Sequence, residues 1–98
     1  MAQFDLYLTG SNDLLLDCQS DLLSHYNSRL VVPLIPVSDE LPSMRRLNPI
    51  FSIDGIDRMM MTEFAAAISI YRLGQRVGSL ADHDLTIKTA FDVLITGY

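Results

Sequence analysis

Pro49-Ile50-Phe51-Ser52-Ile53-Asp54-Gly55, running on to Arg58-Met59-Met60-Met61-Thr62, is the stretch that decides the fold. Apolar, strand-forming residues on both sides of an Asp-Gly pair are a strong local signal for a hairpin. The pair tolerates positive φ at both turn positions, and that turn matches the twist of the flanking strands. Residues 49–53 are therefore read as one strand and 58–62 as its return. Successive strand side chains point to opposite faces, so at least one or two of Met59, Met60 and Met61 enter a core, with packing favoured over a soft binding surface.

Towards the amino terminus, Leu30-Val31-Val32-Pro33-Leu34-Ile35 reads as another strand. Pro33 has no N–H to give a ladder, so this strand is expected at a sheet edge or with a bulge. Residues 36–48 form a long polar excursion between it and the hairpin, and 19–28 a polar loop before it. Phe4, Leu6 and Leu8 alternate with Gln3, Asp5, Tyr7 and Thr9, the period of a half-buried strand. Gly10-Ser11-Asn12-Asp13 is turn chemistry, and Leu14-Leu15-Leu16-Asp17-Cys18 returns as the second arm of an amino-terminal hairpin, with Cys18 in the inward register.

Towards the carboxyl terminus, residues 63–67 suit one helical turn, Ile68 and Ile70 a short strand, and Gly74 to Gly78 a turn or short strand. The period then changes. Ile87, Phe91, Leu94, Ile95 and Tyr98 fall at i, i+4, i+7, i+8 and i+11, one stripe of a helix with Ala90 beside it. Asp82 and Asp84 sit where an N-cap or first-turn carboxylate helps the helix dipole, Asp84 and Lys88 form an i,i+4 pair, and Gly97 is a natural stop. Phe91 and Leu94 are expected to pack on the sheet, and Phe91→Ala to cost about 3–5 kcal/mol. Five to seven short strands followed by one helix predict a mainly β domain: a small barrel or strongly bent sheet with the helix on it.

Composition narrows what such a domain does. The 98 residues make one hydrophobic core and one domain, 1–98. Seven basic residues stand against twelve acidic ones, a net charge of -5. Phosphate backbones reward clustered cations, and the only basic doublet is Arg45-Arg46, so direct nucleic-acid binding is not expected. Cys18 is the single cysteine, which excludes an internal disulfide. The amino terminus lacks a basic segment followed by an apolar run, and no apolar stretch has membrane-spanning length; a cytoplasmic protein is expected. His25 and His83 have no metal-ligand spacing, and there is no glycine-rich phosphate loop. With no catalytic constellation, no metal and no cofactor in view, binding to another protein is the expected mode of action.

Four blocks in order, Leu16-Asp17-Cys18-Gln19-Ser20-Asp21, Leu30-Val31-Val32-Pro33-Leu34, Leu47-Asn48-Pro49-Ile50-Phe51-Ser52-Ile53 and Arg58-Met59-Met60-Met61-Thr62, resemble the CcdB toxins. The tail from Leu73-Gly74 through Asp84, Ile87-Lys88 and Ala90 to Gly97 resembles that family's terminal helix. Each block is weakly specific alone; their shared order and spacing over almost the whole chain carry the resemblance. It implies a dimeric SH3-like barrel with a carboxyl-terminal helix, acting as the toxin of a type II toxin–antitoxin pair. Such a homodimer traps the A subunit of DNA gyrase in its DNA-cleaved state, a topoisomerase inhibitor and not an enzyme, and a cognate CcdA-type antitoxin neutralises and removes it.

The family's poisoning residues are a terminal Trp-Gly-Ile, which falls here on Thr96, Gly97 and Tyr98. These three are the expected gyrase-binding residues, yet only the glycine matches and the chain has no tryptophan. A tryptophan face stacked on an arginine is worth about 0.5–2 kcal/mol, and Thr96 has no such face. Two residues along a helix rotate a side chain by about 200°. A helix running to the end would therefore send Tyr98 along the apolar stripe, while Thr96 groups with Thr89 and Asp92; fraying after Gly97 would let Tyr98 swing back. Three readings stand open: a gyrase poison acting through Thr96, Gly97 and Tyr98; a barrel of this family that binds an antitoxin but is a weak or non-poisoning gyrase ligand; and a ribonuclease toxin of the same fold, which the acidic balance disfavours.

Overall fold

Asp54 and Gly55 take φ values of 52° and 80°, and Ile53 pairs with Ile56 across the two-residue loop. The Asp-Gly hairpin is thus formed as its chemistry dictates. The computed structural model describes residues 1–39 and 44–97. Its strands are β1 (Asp5–Leu8), β2 (Leu14–Asp17), β3 (Ser28–Pro36), β4 (Ile50–Ile53), β5 (Ile56–Met60), β6 (Ala66–Ser69) and β7 (Gln75–Ser79), followed by helix α1 (Asp84–Thr96). They make one antiparallel sheet in the order β4-β5-β3-β2-β1-β7, with β6 also on β3. The sheet bends around α1 as a half-barrel of the SH3-like kind. Short single-turn helices at Asp21–Leu23, Thr62–Phe64, Ile70–Arg72 and Ala81–His83 join the pieces.

Pro33 was expected at an edge or bulge, but β3 is the central strand, paired with β2 on one side and with β5 and β6 in succession on the other. The Pro33 carbonyl accepts from the Met61 amide at 2.9 Å, so its ring nitrogen faces the β5/β6 side and the β2 ladder loses nothing. The Met61 carbonyl, which would have received the missing proton, accepts instead from the Phe64 amide at 2.9 Å. That bond starts the Thr62–Phe64 turn, where the expected helical turn at 63–67 is realised one residue early. Pro33 therefore sits at the point where β3 passes from one partner to the next.

The main core lies on the inner face of the sheet: Leu6, Leu16, Val32, Leu34 and Met60 pack with Ile87 and Ala90 of α1. All three methionines of the 59–61 run are buried. Alternation in β1 suggested one buried face, yet Asp5 and Tyr7 are buried too, and it is Leu8 that is partly exposed. The outer face carries a second small cluster of Tyr7, Val31 and Leu73, with Ile68 and Leu15 against it. Gly74, at φ 83°, lies so close to β1 that a Cβ would collide with the Leu8 carbonyl oxygen, which explains why the chain turns into β7 on a glycine.

The helix is amphipathic, but its inward stripe is Ile87, Ala90 and Val93, with Phe91 half-buried beside it. Leu94 is 42% exposed and Ile95 79%, so the expected stripe through Leu94 and Ile95 is rotated off the core. Spacing alone gives two overlapping apolar arcs on this helix, and small Ala90 lets it lie close to the sheet on the narrower one. Of the two readings the first-turn carboxylate holds, at Asp84; the N-cap is His83, which makes no side-chain bond. Asp84 does hold Lys88, at 3.2 Å.

Candidate functional site: the carboxyl-terminal end of the helix

The last turn of α1 presents its polar side to solvent. Thr96 and Gly97 are both exposed. The Thr96 Oγ1 donates to the Asp92 carbonyl at 2.6 Å, and the Gly97 amide to the Val93 carbonyl at 2.9 Å. Gly97 adopts the left-handed conformation, φ 85°, that ends a helix. Tyr98, the third expected gyrase-binding residue, lies outside the described residues. The structure thus brings Thr96 and Gly97 together on one exposed helix end, beside exposed Leu94 and Ile95.

A buried polar network on the outer face of β1–β3 escaped the sequence reading. The Arg29 Nε donates to Asp17 Oδ2 at 2.8 Å, both side chains being wholly buried. Asp17 Oδ1 also accepts the Gln19 amide at 3.1 Å, whereas Arg29 Nη1 has no partner among the described residues. Burial pushes the Asp17 carboxyl above its ordinary range, against the pull of Arg29 and the Gln19 amide. Next to it, burial first and the Asp5 and Asp17 charges second push the Tyr7 hydroxyl up. Asp5 takes Arg76 Nε at 3.1 Å and the Ala2 amide at 3.0 Å, tying β7 and the amino-terminal arm to β1. The available signal was a charge inside an apolar run, Asp17 after three leucines.

The remaining candidates are dispersed. Cys18 is buried and its thiol is pushed up strongly by desolvation, which suits an inert core residue. His25 packs tilted against Tyr26 at 4.4 Å between ring centroids, and His83 tilted against Phe51 at 5.0 Å. Arg45 and Arg46 are exposed loop residues. Asn48, buried, anchors the chain entering β4: its Nδ2 donates to the Met60 carbonyl at 3.1 Å and to Glu63 Oε1 at 2.7 Å. Among the described residues no three metal donors come together, and no helix is long and apolar enough to cross a membrane.

A bent antiparallel sheet capped by one terminal helix, with that helix's end turned outward, defines a small SH3-like half-barrel. The family whose description is CcdB protein matches residues 3–97, and the chain belongs to it. Membership makes it a protein of the toxin side of toxin–antitoxin systems.

Proposed function

We propose that this protein is a cytoplasmic type II toxin that binds the A subunit of DNA gyrase as a homodimer and blocks DNA topology control, until a CcdA-type antitoxin neutralises it. The family match over residues 3–97 carries this reading. One structural fact supports the placement of the site at Thr96, Gly97 and Tyr98: α1 ends on the exposed pair Thr96–Gly97, with Gly97 in the left-handed conformation. Leu94 and Ile95 leave an apolar surface at that end, and Phe64, in the turn packed on α1, is exposed as well, which suits a second subunit. The toxin acts by binding; it carries no catalytic role in this reading.

The experiment is induced expression in a bacterial host, with and without a gyrase variant resistant to this toxin class. Killing that vanishes in the resistant host is the expected result. It would show that Thr96-Gly97-Tyr98 works without tryptophan. A second reading is favoured by that missing tryptophan: a protein that binds antitoxin and poisons gyrase weakly or not at all. Normal growth of both hosts with soluble protein present selects it. Killing that persists in the resistant host, with RNA cleavage, selects the ribonuclease reading.

A further inference from the structure

Asp54 is the one aspartate of the chain followed by glycine, and no asparagine is. A side-chain carboxyl closes a five-membered ring when the next residue's backbone nitrogen attacks it, and a Cβ on that next residue crowds the approach. Gly55 has none, and a Cβ placed there would meet nothing within 4 Å, so the nitrogen is open from outside as well. Both turn residues are exposed, and the Gly55 amide donates no hydrogen bond among the described residues.

The Asp54 carboxylate is equally unheld, with no ion-pair partner among the described residues. Other aspartates are restrained: Asp17 is buried on Arg29 at 2.8 Å, Asp5 takes Arg76 at 3.1 Å, Asp21 accepts the Gln3 amide at 2.8 Å, and Asp84 holds Lys88 at 3.2 Å. Asp54 also lies at the tip of a hairpin whose outer strand, β4, pairs only with β5 among the described residues. Such a tip opens locally at a small fraction of the cost of global unfolding. Opening lets the pair leave the φ values of 52° and 80° that the turn imposes.

We propose that Asp54 is a self-modification site: in the folded protein it cyclises on the Gly55 nitrogen and reopens as an isoaspartyl residue. The nitrogen attacks Asp54 Cγ, so the N–Cγ bond forms and a Cγ–O bond breaks. The oxygen leaves as water, with the amide proton and one proton from solvent. Water then cleaves the succinimide at the Asp54 main-chain carbonyl. Its hydroxyl stays on that carbon, its proton goes to the nitrogen, and the new carboxyl returns a proton to solvent. No oxidant or cofactor is consumed, and the mass is unchanged. The main chain then runs through Cβ and Cγ, one atom longer, and the two-residue loop no longer matches the strand twist. The Ile53–Ile56 pair is the first to be lost, while Phe51, buried in the core, keeps β4 in place. This site does not depend on the gyrase reading; its test reads a covalent bond, not killing.

The protein and the free peptide acetyl-Ser-Ile-Asp-Gly-Ile-Asp-amide are aged side by side for weeks at neutral pH and body temperature. Isoaspartate is counted by radiolabelled methyl transfer from S-adenosylmethionine, with an isoaspartyl-specific methyltransferase, and located by peptide mapping. The label is expected on residue 54, at a rate within about a hundredfold of the peptide's, because local opening suffices. If only globally unfolded molecules reacted, the rate would fall by about a thousandfold or more, the scale of the unfolded fraction. Asp54→Glu keeps the charge but has to close a six-membered ring, so it should lose the label with its circular dichroism unchanged. The peptide comparison tests the same point on the unaltered protein. No label at residue 54, label spread evenly over the aspartates, or a rate more than about a hundredfold below the peptide's overturns the proposal.

Discussion

Arg29 and Asp17 are the residues whose role is least visible in the sequence and most consequential in the structure. Each is a charge next to an apolar strand run, a pattern that normally marks the solvent face; here Leu73 and Ile68 cover that face. A buried ion pair contributes little net stability, but removing one partner leaves an uncompensated charge and costs about 3–5 kcal/mol. Asp17→Asn and Arg29→Met, taken singly, should each lower the unfolding free energy by that amount in urea titrations. The double variant Asp17→Leu/Arg29→Met should lose far less than the sum. Single variants within about 1 kcal/mol of the parent would mean the pair is hydrated and not buried. Thr96 and Gly97, by contrast, were placed only through resemblance, because nothing in two small exposed residues announces a binding site.

At the scale of elements, helix α1 shows what periodicity reveals and what it leaves open. The existence of the helix, its stop at Gly97 and the Asp84–Lys88 pair were all legible from spacing. The face was not, because Ile87, Phe91, Leu94 and Ile95 form one acceptable arc and Ile87, Ala90, Phe91 and Val93 another. Packing against the sheet chose the second. Stability should therefore fall most for Ile87→Ala, by about 2–5 kcal/mol, less for half-buried Phe91→Ala, and by under about 1 kcal/mol for Leu94→Ala in the monomer. Denaturation midpoints of the three variants check the order; Leu94→Ala as damaging as Ile87→Ala would restore the first arc. The strands repeat the lesson. Hairpin turns written in Asp-Gly or Gly-Ser-Asn-Asp were plain, whereas the outer covering of β1 came from segments distant in sequence.

At the scale of the whole molecule, the apolar fraction of 49% finds room in two clusters and still leaves Phe64, Leu94 and Ile95 outside. If these form the contact between two copies, sedimentation should show a dimer at micromolar concentration, and Ile95→Asp should shift it to monomer with the fold intact by circular dichroism. A parent protein that sediments as a monomer throughout the range would remove the dimer from the proposed function. Much of the fold was readable because, apart from β1 and β7, which pair from opposite ends of the chain, the strand pairs lie close in sequence except where β3 serves three neighbours.

That exception has a consequence for how the chain carries its information. Met61 lies opposite Pro33 and Ala66 opposite Val31, so residues 62–65 stand against Val32 alone. β5 and β6 are then two halves of one interrupted strand, and the surplus of three residues is odd. An odd surplus exchanges the inward and outward positions, because strand faces alternate by twos. The segment from Ile56 to Ser69 is accordingly written in two reading frames, with Met60 inward in the first and Ile68 turned to the opposite face in the second. Removing a single residue between them would leave every amino acid of β6 in place in the sequence and on the wrong side of the sheet.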